Sequence, residues 1–244
     1  MSSPARRFVI VSMMRTGSNL LQQKLNAIDG VICHGELLNQ NEGVHPSLRH
    51  LTEGQSPVVR PSLRTENPGE YLDAILDRTP AEHTGFRIFP GHHNPTLKAL
   101  VEDPSVHKII LCRNLLESYV SLRLAQQNNQ WIINHAGTRK PWVPVQIEPN
   151  EFKNYALRIS AYYYHVISRC YLTGQQTTPI NYKQINDQET IDRLLQVFGG
   201  NRTYKAAAVT ALRQNPEPLE QKIKNYAEIV KLLKQLDVAD WLAD

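Results

Sequence analysis

The sequence predicts an α/β fold: a mostly parallel β-sheet covered by helices on both faces. Three observations carry this. Short apolar, β-branched runs recur along the chain, clearest at Phe8 to Val11 and Val106 to Cys112, and read as buried strands. Segments with apolar residues at helical spacing alternate with them, the pattern of strand–helix–strand crossovers. The first strand runs through a small-residue turn, Arg15 to Ser18, straight into a helix with Leu21, Leu25 and Ile28 at i, i+4, i+7.

The elements follow in order. Val31 to Cys33 is a second strand, running into His34, Gly35 and Glu36. Residues 39–66 are polar and hold Pro46, Pro57 and Pro61, so a surface excursion is expected. Asn67, Pro68 and Glu70 form a helix start, with Leu72, Ile75 and Leu76 on its buried face. Gly85 to Phe89 is a strand with Arg87 inside its apolar run, Pro90 to His93 a turn, and Asn94–Pro95 the cap of a short helix to Val101. The strand Val106 to Cys112 stops at Arg113–Asn114, and a helix starts with Leu115, Leu116, Tyr119 and Val120. Residues 126–150 are polar, rich in Asn and Gln, and hold Trp131 and Trp142, as expected of a lid or binding loop. A long helix runs from Asn150 to about Thr173, with Phe152, Tyr155, Ile159, Tyr162, Val166 and Cys170 at helical spacing. Thr177 to Tyr182 is a further strand. The next helix carries Ile191, Leu194, Leu195 and Phe198 and ends at Gly199–Gly200. A C-terminal helix from about Pro218 carries Leu219, Ile223, Tyr226, Val230 and Leu233.

Composition bounds the function. The 244 residues suffice for one large α/β domain, and a single domain over 1–244 is expected, with loops at about 39–66 and 126–150. The net charge of +4 is mild and unclustered, unlike a nucleic-acid-binding arm; it suits a small anionic ligand. No apolar run approaches the ~20 residues of a membrane span, and the N-terminus has no signal-peptide core. Cys33, Cys112 and Cys170 are odd in number and widely spaced, which suggests neither a disulfide framework nor a zinc site. A cytoplasmic protein without a metal is expected.

The turn after the first strand is the first candidate site. A strand, a tight turn and a helix start aim backbone N–H groups at one point, where the helix dipole favours an anion. Gly17 permits the sharp turn, Thr16 and Ser18 are natural N-caps, and Arg15 adds a charge and a fork of donors. A Walker loop needs a Lys after its second Gly; here Asn19 and Leu20 follow Ser18, and no Lys appears before Lys24. The loop is P-loop-like without the usual kinase lysine. Arg113, at a strand mouth, and Ser121, eight residues on, suit a phosphate: paired donors from Arg, a hydroxyl from Ser.

The two stretches together, Arg15 to Leu21 and Arg113 to Ser121, resemble the sulfotransferases that use 3′-phosphoadenosine 5′-phosphosulfate (PAPS) and release the bisphosphate PAP. The first looks like their 5′-phosphosulfate loop (Arg15, Thr16, Gly17, Ser18, Asn19, Leu20), the second like their 3′-phosphate motif. Ile180 to Ile185 is similar to the segment whose tyrosine lies near the adenine, which maps to Tyr182; Lys183–Gln184 stands where that segment is acidic. Arg213 and Gln214 fall where the family has a basic segment closing over the 3′-phosphate. His34 to Leu38 and Ala125 to Trp131 look most like the bacterial carbohydrate sulfotransferases of the Nod-factor and trehalose type, in which a Glu serves as base; it maps onto Glu36. The resemblance implies the sulfotransferase fold, PAPS as donor, no metal, and a carbohydrate or glycolipid acceptor. Sulfuryl transfer needs charge stabilisation, for which Arg15 is placed, and a base within reach of the acceptor hydroxyl. For that base His34, His92 and His93 stand beside Glu36 as alternatives, because His titrates near neutrality. Trp131 and Trp142 are candidates to stack on sugar rings. A homo-oligomer is possible. The rival classes are a P-loop kinase or phosphotransferase and a silent nucleotide-binding module.

Overall fold

The computed structural model describes residues 6–40, 42–54, 57–131, 138–210 and 216–242. Five strands, β1 (Arg7–Val11), β2 (Val31–Cys33), β3 (His83–Ile88), β4 (Val106–Cys112) and β5 (Thr177–Asn181), form one sheet in the order β2-β3-β1-β4-β5. Every pairing is parallel, in keeping with the expected α/β class. The chain leaves β1 outward to β2, returns through β3, then crosses over β1 to β4. The order therefore reverses around β1, the position where open sheets of this kind form a crevice at their carboxyl edge.

Alternation along the strands divides the core in two. Phe8 and Ile10 of β1, Ile109 and Leu111 of β4 and Ile180 of β5 face α1 (Ser18–Asn26) and a later helix, Gln188–Val197, through Leu21, Leu25, Leu194 and Phe198. Val9, Val11, Phe86, Ile88 and Ile110 face the larger layer. That layer contains α2 (Leu63–Glu66), α3 (Pro68–Leu76), α4 (Asn94–Glu102), α5 (Leu115–Asn128) and α6 (Pro149–Leu172). The Gln188–Val197 helix is α7; α8 (Leu219–Lys222) and α9 (Tyr226–Gln235) complete the chain.

Register sets the site. Val11 pairs with both Ile88 and Ile110, and Cys112 with Asn181, so β1 and β3 end level, β4 and β5 run two residues further, and the loops that follow all four open on one edge.

Three local readings change. Asn94 does not cap α4; His93 does, accepting from Thr96 N, while the Asn94 side chain accepts from Gly91 N across the preceding turn. In α6 it is Tyr163, rather than Tyr162, that is buried on the sheet, its hydroxyl donating to Leu111 O at 2.7 Å. The C-terminal helix is broken. Ile223 is extended because Val145 N donates to Lys222 O (2.8 Å) and Lys224 N to Val145 O (2.9 Å). Asn225 then grips both backbone groups of Ile147. A strand-like clip to a segment about eighty residues away in sequence outweighs continued helix, and it sets the phase of α9 to bury Ile229, Leu232 and Leu233.

Candidate active site

Each strand delivers a chemical group to the carboxyl edge. After β1 the chain turns through Arg15 (φ 68°) and Gly17 (φ 90°), both left-handed. The Thr16 hydroxyl donates back to Met13 O at 2.6 Å and closes the turn. Neither Thr16 nor Ser18 caps α1, contrary to the expectation from their residue types. Gly17 is the N-cap residue, no side chain caps the helix, and no acidic residue lies in its first turn. The N–H groups at the start of α1, Ser18 to Leu20, thus face the edge with no side-chain acceptor at the N-cap, an arrangement suited to an anion.

Gly17 is also pinned by a neighbour. A Cβ there would lie 2.4 Å from Tyr182 Cδ2, so the ring that follows β5 lies directly against the loop. Arg113, just past β4, covers the same ring with Cζ 4.2 Å from its centroid, a cation–π contact. Its Nε donates to Glu117 Oε2 at 2.8 Å and its Nη1 to Arg15 O at 3.1 Å. Arg15 reaches to α5, Nε donating to Ser121 Oγ at 3.1 Å, and to Trp131 O through Nη1 at 2.6 Å. The fold therefore gathers Arg15, Gly17, Ser18, Arg113, Ser121 and Tyr182. Burial, and then the charge of Arg113, push the Arg15 guanidinium down to about 10. Two cations share a partly dry corner with one carboxylate, Glu117, so a further anion there is favoured.

On the other side of β1 stands a buried carboxylate. Glu36, past β2, is 7% exposed. Its Oε2 accepts from Asn39 Nδ2 at 2.7 Å and lies 3.2 Å from His92 Nε2; its Oε1 has Arg87 Nη1 at 3.4 Å. Phe89 N donates to His92 Nδ1, so the hydrogen of His92 sits on the Nε2 that faces Glu36. Burial pushes the Glu36 carboxyl up, but His92, Arg87 and Asn39 together outweigh it and hold it below its ordinary value of 4.5. It is ionised at neutral pH.

The remaining sequence candidates are placed as follows. His34 is fully buried, and both nitrogens are engaged. Nδ1 accepts from His45 N at 2.9 Å, and Nε2 donates to Thr79 Oγ1 at 2.8 Å, whose own hydrogen goes to Ile75 O. Burial, with His45 nearby, pushes its pKa down to about 3. This corrects the expectation of a catalytic His34: no nitrogen is left to take a proton from an acceptor. His93 is engaged as the cap of α4. Trp142 packs on the larger core, whereas Trp131 is 44% exposed beside Arg15. Arg213 and Gln214 lie outside the described residues.

Arg87 was not among the sequence candidates, although an arginine inside an apolar strand is a visible signal. It is 3% exposed and touches Ser18, Glu36 and Glu42. Among the described residues no group of His, Cys, Asp and Glu has the form of a metal site, and no helix is long and apolar enough to cross a membrane.

No protein-family model matches the chain. Nodulation protein H of Rhizobium meliloti is 24% identical over 232 residues, covering 93% of this chain and 90% of its own. Nodulation protein H of Rhizobium tropici is 23% identical over 231 residues, with 91% and 87% covered. A crystal structure of a sulfotransferase from Alicyclobacillus acidocaldarius aligns over 99% of both chains at TM-score 0.49 and 12% identity. The chain is thus similar over nearly its whole length to these nodulation proteins, and its parallel α/β sheet opens on an edge suited to an anion.

Proposed function

We propose that the protein transfers the sulfuryl group of PAPS to a hydroxyl of a carbohydrate or glycolipid, with Glu36 as general base. The observation that carries this reading is the convergence of Arg15 and Arg113 on Ser121 and the loop backbone, from positions about a hundred residues apart in sequence. A bisphosphorylated nucleotide supplies the charge that this pair of guanidiniums favours. Arg15 and the N–H groups of Gly17, Ser18 and Asn19 hold the phosphosulfate end; Arg113 and Ser121 hold the 3′-phosphate; Tyr182 offers a ring for the adenine.

In the transfer, the bond between sulfur and the bridging phosphate oxygen breaks as the acceptor oxygen bonds to sulfur. Arg15 and the loop N–H groups stabilise the charge that grows on the leaving phosphate. Glu36 takes the hydroxyl proton. Oε1 is the oxygen assigned to this, because its one neighbour, Arg87, is at 3.4 Å while Oε2 accepts from both Asn39 and His92. Trp131, exposed beside Arg15, is assigned to the acceptor side. A sugar acceptor is supported by the kinship with the nodulation proteins.

The test is a thermal-shift titration with PAP against ATP–Mg²⁺. Saturation at about 100 times Kd adds about 2.7 kcal/mol, which for a chain of this size raises Tm by roughly 5–10 °C. A shift with PAP alone is expected. A shift with ATP–Mg²⁺ alone would replace this reading by a kinase, and no shift with either by a silent module.

A further inference from the structure

Resting on the reading just given, we propose that Arg87 is a positioning residue that couples the donor loop to the base. It turns the Ser18 hydroxyl hydrogen toward the donor anion and holds the Glu36 carboxylate for the acceptor.

The geometry is specific. Arg87 sits on β3, between the strands that carry the loop and the base. Its Nη1 donates to Ser18 Oγ at 3.0 Å and faces Glu36 Oε1 at 3.4 Å. Its Nη2 donates to Glu42, and its Nε is buried with no hydrogen-bond partner. Burying a guanidinium on an apolar strand is costly, and an aliphatic side chain would fill the space more cheaply. The position is therefore better explained by what the fork touches than by packing.

A guanidinium only donates, so the Ser18 oxygen must accept, and the single Ser18 hydrogen is directed elsewhere. Ser18 is the first residue of α1, at the helix end without a side-chain cap. That hydrogen is free for an anion held by the loop. On the other arm, Glu36 is faced by Arg87, by Asn39, by His92 and, through its backbone N–H, by the Glu42 carboxylate at 3.3 Å. Arg87 is the one full cation in that group. Glu42 completes the device. It holds Arg87 from the far side, so when Glu36 becomes neutral on taking a proton, the buried guanidinium keeps a counter-charge and stays in place.

Two readouts test this without knowledge of the acceptor. The first is the ¹³C carboxyl titration of Glu36, assigned by its loss in Glu36→Gln. Arg87→Gln raises the Glu36 midpoint by about 1–3 units, the effect of removing a cation at this range. The second is a double-mutant cycle on PAP affinity. Ser18→Ala weakens PAP about tenfold in the parent and leaves it nearly unchanged in Arg87→Gln, because the hydroxyl is already misdirected there. A Glu36 midpoint that stays put, or equal losses from Ser18→Ala in both backgrounds, overturns the proposal. If Arg87→Gln fails to fold, Arg87→Lys replaces it. Its single ammonium keeps most of the Glu36 shift but does not bridge three partners, so the Ser18 coupling is lost; undiminished coupling overturns the proposal. A parent that does not bind PAP overturns the donor assignment and the Ser18 arm with it. The Glu36 titration then decides the carboxylate arm on its own.

Discussion

Arg15 and Ser121 are joined by a hydrogen bond of 3.1 Å across 106 residues of sequence. This bond ties the loop after β1 to the second turn of α5 and fixes where the Arg15 charge points. Arg15 is in the left-handed region, φ 68°, a conformation that costs a non-glycine residue of order 1–3 kcal/mol and persists only when its surroundings hold it. Ser121 is one of those holds, and Arg113, bonded to the Arg15 carbonyl, is another. Ser121→Ala is therefore expected to weaken PAP about tenfold, with a small change in Tm. Isothermal calorimetry beside a melt checks it; unchanged PAP affinity would mean that Ser121 neither holds Arg15 nor meets the nucleotide.

Arg113 is assigned to the 3′-phosphate. Arg113→Ala should cost PAP at least about tenfold more affinity than it costs adenosine 5′-monophosphate, which lacks that phosphate. The variant also leaves the buried Glu117 carboxylate without its partner, so a lower Tm is expected as well. The selectivity ratio, not the melt, decides the assignment. Equal losses for the two nucleotides would sink it.

Gly17→Ala is expected to abolish PAP binding. The added Cβ meets the Tyr182 ring at 2.4 Å, and the residue would keep a φ of 90° that alanine rarely adopts. Pairing it with Tyr182→Ala relieves the clash but not the backbone strain. The double variant should recover part of the stability, measured by chemical unfolding, and little of the PAP binding. Full tolerance of Gly17→Ala would contradict the close approach of ring and loop.

Glu36→Gln should lower transfer by about 10²–10⁴-fold, the usual weight of a general base, while PAP binds as before. The pH dependence has a definite sign. The folded carboxyl lies below its ordinary value of 4.5, so Glu36 is ionised through the neutral range and its contribution to stability is fully present above that value. Both that contribution and transfer activity are lost as pH falls through the folded value. An acid limb of activity above neutral pH would point to a different base.

His34 makes an opposite kind of prediction, about stability alone. It is neutral and buried in the fold, with a pKa near 3 against an ordinary 6.5. As pH drops below 6.5 the unfolded chain takes up a proton that the folded chain refuses. Each unit down toward 3 then costs up to about 1.4 kcal/mol from this group. Thr79→Val, which leaves His34 Nε2–H buried without an acceptor, should lower Tm at neutral pH with PAP affinity intact. Loss of PAP binding at unchanged stability would restore His34 as a functional candidate.

Much of this molecule is legible in local pattern. The strands were readable because buried parallel strands are runs of apolar, β-branched residues, and α3 was readable because Asn67 and Glu70 announce its start. The Arg15–Ser18 turn and Arg113 at a strand mouth were visible because turn chemistry and strand ends are properties of neighbours in sequence. Pairwise choices between distant segments were not visible. His34 and Glu36 lie two residues apart, and the residues by themselves leave His34 as an alternative to Glu36 for the base. The fold closes Thr79 and His45 around the first and brings Arg87, His92 and Asn39 to the second. Ser18 read as a helix cap until Arg87 claimed its oxygen, and Ile223 read as helix until Val145 paired with its neighbours. In each case several local states of the residue lie within a few kcal/mol of one another, and a single long-range hydrogen bond or ion pair, formed as the sheet assembles, selects among them.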